Sequence, residues 1–238
     1  MWGWRARIGF VIPGDLLYGP EFYAILPDGV AMDFHSLGIE KLVPEEIERV
    51  FNLYLPAAKH LATQECDVIV FGGSPIMNYM GYDHALELKR KITEATGIPA
   101  VLHLEACFDA LNFFSAKKIV IATPYAEARN QERKRLSESL GFEVLNIKGL
   151  GFERRVEFGK QPPYAAYRLA KQAFLEAPDA DAIYISCPEW PTVSNIQKLE
   201  SETEKPVVTS VTAIIWAALR ILHIKEPIKG YGKVLELL

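Results

Sequence analysis

The stretch DVIVFGGSP (67–75) decides how this chain folds. Val68 to Phe71 are apolar without alternation, and three of the four are aliphatic β-formers. Such a run suits a strand buried on both faces, as in a parallel sheet covered by helices. Gly72 and Gly73 then stop it. Three other runs have the same character: RIGFVIP (7–13), KIVIATP (118–124) and DAIYISC (181–187). Each ends in proline, glycine or another small residue.

Between these runs lie helical patterns. Residues 43–65 start with Pro44 in the first turn and acidic residues after it, both favourable at a helix N-terminus. Residues 82–97 end at Gly97, and 127–141 end at Gly141, the usual C-terminal stop. Helices are also expected over 165–178 and 192–204. Shorter strands are expected at 100–104, 143–149 and 206–210. The alternation of strand and helix predicts an α/β fold.

The two halves echo one another. Phe10 to Phe71 spans 61 residues and Val120 to Tyr184 spans 64. The expected architecture is two pseudo-symmetric α/β units, each a mainly parallel sheet flanked by helices. Their expected bounds are 1–114 and 115–208, with a C-terminal helix at 211–223 joining the first. Ligands of open parallel sheets bind outside the carboxyl ends of strands. The ends at Pro13, Gly73, Pro124 and Cys187 are therefore expected to meet in a cleft between the units, which would hold the active site.

Composition narrows the function. The chain has 238 residues, 50% hydrophobic and 24% charged, with a net charge of −4. That balance gives no electrostatic case for nucleic acid or an anionic membrane as partner. The most apolar run, VTAIIWAALRIL (211–222), is broken by Arg220 and is too short to span a bilayer. No signal peptide is expected from the first ten residues. Three cysteines, an odd number in a chain this long, suit a reducing cytoplasm. Five scattered histidines offer no metal-ligand spacing, so no metal is expected. Walker, dinucleotide-fingerprint and nucleophile-elbow motifs are absent.

What remains are the turns. Gly72-Gly73-Ser74-Pro75 allows backbone to approach a ligand and sets a hydroxyl beside it. A tight turn with Ser74 capping the next helix accounts for the same residues. Thr123-Pro124-Tyr125 is the matching turn of the second half, with capping again the plainer account. Cys187 closes a strand and is followed by Pro188, Glu189 and Trp190, where a buried strand would continue with apolar residues. Cys66 and Cys107 read as buried filler. A thiol with an ordinary pKa of about 8.5 is mostly protonated at neutral pH and can give its proton to a carbanion.

These motifs, in this order, resemble the aspartate/glutamate racemase superfamily, above all the branch with arylmalonate decarboxylase and maleate cis-trans isomerase. The resemblance rests on RIGFVIP, DVIVFGGSP, KIVIATPY, APDADAIYISC and KPVVTSVTAIIWAALRI and covers nearly the whole chain. It implies two pseudo-symmetric units, a small carboxylate substrate and no cofactor, and leaves homo-oligomerisation open. The superfamily carries a cysteine at each pseudo-equivalent turn. Here the second is Cys187 and the first is Gly73, the arrangement of the decarboxylase. The resemblance then implies a lyase that decarboxylates a malonate-type substrate through an enediolate. Cys187 would be the proton donor, with Ser74 and Tyr125 as hydrogen-bond donors and Pro13, Gly73, Pro75 and Pro188 lining the substrate site.

Three residues depart from the decarboxylase. Pro75 stands where it has a second hydroxyl, Pro188 where it commonly has glycine, and Ile47 near its helix tyrosine. Asn78, Tyr79 or Thr212 would have to complete the carboxylate cradle. One alternative is a maleate isomerase, or an amino-acid or hydantoin-type racemase, with Glu189 or Asp15 replacing the missing cysteine. Another is a non-catalytic carboxylate-binding protein.

Overall fold

The computed structural model describes residues 3–14, 19–41 and 43–238. It contains two four-stranded sheets, parallel at every pairing, with helices between successive strands. The first is formed by β1 (Ala6–Ile12), β2 (Val30–Ser36), β3 (Val68–Phe71) and β4 (Ala100–Leu102), in the order β2-β1-β3-β4. The second is formed by β5 (Lys118–Tyr125), β6 (Glu143–Phe152), β7 (Ala182–Ile185) and β8 (Val207–Thr209), in the order β6-β5-β7-β8. The two orders are the same topology repeated, as the echoing halves predicted.

The compact units are residues 1–106 with 217–225, and 107–216 with 226–238. Helices α5 (His103–Phe113) and α10 (Ser210–Ile221) each give residues to both.

Burial explains which strands are legible. Strands β3 and β7 are buried at every position, and β1 and β5 at all but one each. A fully buried Val, Ile or Phe side chain contributes about 1.5–3 kcal/mol by leaving water, so these runs carry much of each core. Edge strand β2 has the sequence VAMDFHS and is buried only over its first three residues. Its charged and polar half hides it from any search for continuous apolar runs. Strand β4 stops at Leu102, two residues short of expectation, because His103 already begins α5.

Helix α2 (Pro44–Thr63) has Pro44 in its first turn, where the missing N–H costs nothing, and Glu45 and Glu46 beside it. It buries Ile47, Val50, Tyr54, Ala57, Ala58 and Leu61, the 3.6-residue stripe of a helix lying on a sheet. Helices α3 (Ser74–Met80) and α4 (Tyr82–Thr96) follow β3, and α4 ends on Gly97 at φ 71°, whose N–H returns to the Thr93 carbonyl. In the second unit, α6 (Glu127–Ser139) turns Asn130, Arg133 and Ser137 inward, a polar inner face. Helices α1 (Gly19–Tyr23), α7 (Arg155–Phe158), α8 (Pro163–Leu175), α9 (Ile196–Thr203) and α11 (Lys233–Glu236), with a 3-10 turn at Val193–Asn195, complete the described elements. No helix among the described residues is long and apolar enough to cross a membrane.

Candidate active site

The registers define which turns correspond. Strand β1 pairs Ile8 with Val68 of β3, and β5 pairs Ile119 with Ala182 of β7. Counting on from these pairs, Pro13 matches Pro124 and Gly73 matches Cys187.

In the first unit Pro13 and Gly73 touch. A Cβ built on Gly73 would stand 2.7 Å from Pro13 Cγ and 3.0 Å from the Tyr54 hydroxyl. Gly73 has φ 151°, a value that side-chain-bearing residues rarely adopt. Tyr54 is fully buried on α2, and its hydroxyl donates to the Gly72 carbonyl at 2.8 Å. It pins the glycine turn from beneath. Only its spacing on the inner face of α2 marks it in the sequence, and that spacing also fits an ordinary core residue.

Ser74 is not a cap. Gly73 is the N-cap of α3, Ser74 is the first helical residue, and no side chain caps this end. The Ser74 hydroxyl oxygen is buried and has no hydrogen-bond partner among the described residues, and the same holds for Asn78 Oδ1. Pro75 occupies the first turn of α3, where proline is tolerated. Tyr79 is 50% exposed. Asp15 lies outside the described residues.

The second unit holds Tyr125, Cys187 and Pro188. The Thr123 hydroxyl is engaged by its neighbours. It donates to Asn130 Oδ1 at 2.5 Å and accepts the Tyr125 N–H at 3.1 Å. Asn130 Nδ2 in turn donates to the Tyr125 carbonyl at 3.4 Å. This closed loop fixes the Tyr125 backbone, and Phe158 packs edge-on against the Tyr125 ring at 5.4 Å. Gly149 on β6 makes room for it. A Cβ there would come within 2.2 Å of Asn130 Nδ2 and 2.3 Å of the Tyr125 carbonyl oxygen. Gly149→Ala is therefore expected to lower stability by about 1–3 kcal/mol, as overpacking does. It should also cut activity by displacing Tyr125. Thermal melts and turnover of the same variant check both effects, and an unaltered melt would show that the loop yields freely.

Cys187 is 3% exposed and carries φ 104°. A non-glycine residue held there stores strain of order 1–3 kcal/mol, and such strain gathers at functional sites. Burial, and after it the Glu189 carboxylate, push the thiol up to about 12, against the Tyr125 hydroxyl and Arg155 acting the other way. Burial and the neighbouring Cys187 likewise hold the Tyr125 phenol well above its usual value. Both groups stay protonated at neutral pH. Glu189, considered above as a replacement for the missing cysteine, is tied at 2.7 Å to Arg155 Nε, with side chains 11% and 20% exposed.

Thr212, one of the three residues offered for the carboxylate cradle, has its hydroxyl engaged with Thr209. It is fully buried, and it exchanges hydrogen bonds with Thr209: each hydroxyl accepts the other residue's N–H at 3.1 Å. Tyr54, Asn130 and Arg155 were not legible in the sequence as neighbours of these turns, since nothing local joins them to the residues they touch.

Residues 8–235 match the family model described as arylmalonate decarboxylase. The chain belongs to that family. It is 26% identical to the arylmalonate decarboxylase of Bordetella bronchiseptica over 233 residues, covering 96% of each chain. It is also 22% identical to the maleate isomerase of Geobacillus stearothermophilus over 245 residues, covering 97% of each. Among solved structures, a liganded glycine-to-cysteine, cysteine-to-serine double mutant of arylmalonate decarboxylase superposes with a TM-score of 0.88 at 23% identity, covering 97% of this chain and 99% of that one. A cysteine-to-serine mutant of Nocardia farcinica maleate cis-trans isomerase, with a covalently bound succinylcysteine intermediate, gives 0.86 at 21% identity and covers 97% and 98%. The family's fold is thus shared by decarboxylase and isomerase, and family membership leaves the reaction to be argued from the residues.

Proposed function

We propose that this protein is a cofactor-independent lyase that decarboxylates a small malonate-type carboxylate. The observation that carries the reading is the pair of matching turns, glycine at one and a buried, protonated cysteine at the other. A covalent-cysteine isomerisation needs a nucleophile, and Gly73 has no side chain. A thiol pushed up to about 12 is a poor nucleophile at neutral pH, because the thiolate is the reactive form. It remains a competent acid toward an enediolate.

The steps follow from the groups present. The family resemblance gives Ser74 and Tyr125 as the hydrogen-bond donors to the carboxylate that is retained. The bond to the second carboxylate breaks, CO₂ leaves, and the electron pair enters an enediolate. Donors aimed at that developing charge act as an oxyanion hole does. The Cys187 proton passes to carbon, and the resulting thiolate regains a proton from solvent. Pro75 and Pro188 each remove one backbone donor, and such a loss is worth about 2.7–4 kcal/mol of transition-state stabilisation when nothing replaces it. The preferred malonate is therefore expected to differ from that of a decarboxylase with both donors.

The test is CO₂ release from a panel of α-aryl- and α-alkylmalonates, run beside maleate isomerisation and racemisation of α-substituted carboxylates. Malonate turnover to one enantiomer supports the lyase. Isomerisation of maleate without CO₂ release would replace it.

A further inference from the structure

The two matching turns solve one backbone problem in different ways. Both need positive φ, 151° at Gly73 and 104° at Cys187. Glycine adopts such values freely, whereas cysteine must be held in them. The last ladder contact of this turn is the Ser186 N–H to the Ala122 carbonyl at 2.9 Å. Beyond it the Cys187 N–H has left the sheet in a fully buried setting. It donates instead to the Ser210 hydroxyl oxygen at 3.0 Å. The Cys187 carbonyl is also engaged, accepting the Trp190 N–H at 3.4 Å.

Ser210 is fully buried and is the first residue of α10. The registers pair Phe71 with Leu102 in the first sheet and Ile185 with Thr209 in the second, so Ser210 stands where the first unit has His103. In the first unit that place is filled by an imidazole-bearing residue, whose Cβ lies 2.5 Å from where a Cβ on Gly72 would be. In the second the residue before Cys187 is Ser186, and the hydroxyl of Ser210 meets the Cys187 amide. The Cys107 thiol lies 3.9 Å from the same oxygen, a second donor to it.

We propose that Ser210 is the positioning residue of Cys187: its buried hydroxyl accepts the Cys187 N–H and holds the strained turn that aims the thiol. The effect on catalysis rests on the reading of Cys187 as proton donor, whereas the effect on the amide does not. Without the hydroxyl the amide is a buried donor with no acceptor, and the turn is free to relax toward an ordinary φ. Misplacing a reacting group by about 1 Å can cost about 10²-fold.

The experiment compares Ser210→Ala and Ser210→Thr in the full chain. Hydrogen exchange of the Cys187 amide, alkylation of the Cys187 thiol across pH, and kcat and KM for a malonate are measured on each. Ser210→Ala is expected to speed amide exchange at least about tenfold and to lower kcat by about 10–10²-fold, with KM little changed. Ser210→Thr keeps an acceptor and is expected to preserve amide protection. A folded Ser210→Ala with wild-type amide exchange and wild-type alkylation overturns the proposal. If Ser210→Ala does not fold, Ser210→Thr decides: a folded protein with an unprotected Cys187 amide overturns it, and a protected one supports it. Faster amide exchange in a protein whose wild type turns over no malonate upholds the tether and discards the lyase reading.

Discussion

Cys187→Ser is expected to lower malonate turnover by about 10²–10⁴-fold, the usual contribution of a positioned general acid, while the melting temperature changes little. The hydroxyl replaces the thiol at nearly the same volume, so packing is conserved. What changes is acidity. A serine hydroxyl is a far weaker proton donor than a thiol, even one pushed up to about 12. Turnover of substituted malonates with a parallel thermal melt separates the two effects. A variant with wild-type turnover would show that Cys187 is not the donor, and one that fails only by unfolding would return it to a packing role.

The same thiol predicts a pH dependence of stability. The unfolded chain releases the Cys187 proton near the ordinary thiol value of about 8.5, while the folded chain keeps it until about 12. Between these values the folded state binds more protons, so stability falls as pH rises from about 9. Cys66 and Cys107, both pushed up to about 11 chiefly by burial, add to the same trend. Denaturant midpoints at pH 8 and pH 10 should therefore drop less in Cys187→Ser than in wild type. Equal drops in the two proteins would contradict the raised thiol pKa.

Gly73→Cys is expected to give the enzyme racemase character toward α-substituted carboxylates, at a cost in stability. The gain comes from supplying a second acid–base group at the turn that matches Cys187. The cost has two sources, the φ of 151° and a Cβ that would stand 2.7 Å from Pro13 Cγ. Together they are expected to destabilise by about 1–3 kcal/mol or somewhat more. Chiral chromatography of a single enantiomer incubated with the variant measures the gain. If wild type racemises as fast, Gly73 does not separate the two activities, and the isomerase alternative gains.

The sequence by itself determined the fold class and both turns. Strands β1, β3, β5 and β7 lie at the centres of their sheets, and burial on both faces imposes unbroken apolar runs that need no partner to be recognised. Edge strand β2 escaped because half of it faces away from the core. The glycine at residue 73 and the cysteine at 187 were legible because each interrupts such a run. Only the tertiary structure decided what the neighbouring polar groups do. Ser74 and Thr123 look alike as hydroxyls after a strand. One has no partner among the described residues, and the other is engaged by Asn130 and Tyr125. Thr212 pairs with Thr209, and Ser210, 23 residues from Cys187, reaches its amide. A hydrogen bond within about 3 Å depends on where separate elements come to rest. Hydrophobic periodicity specifies which face of an element is buried, but not which hydroxyl arrives beside which amide.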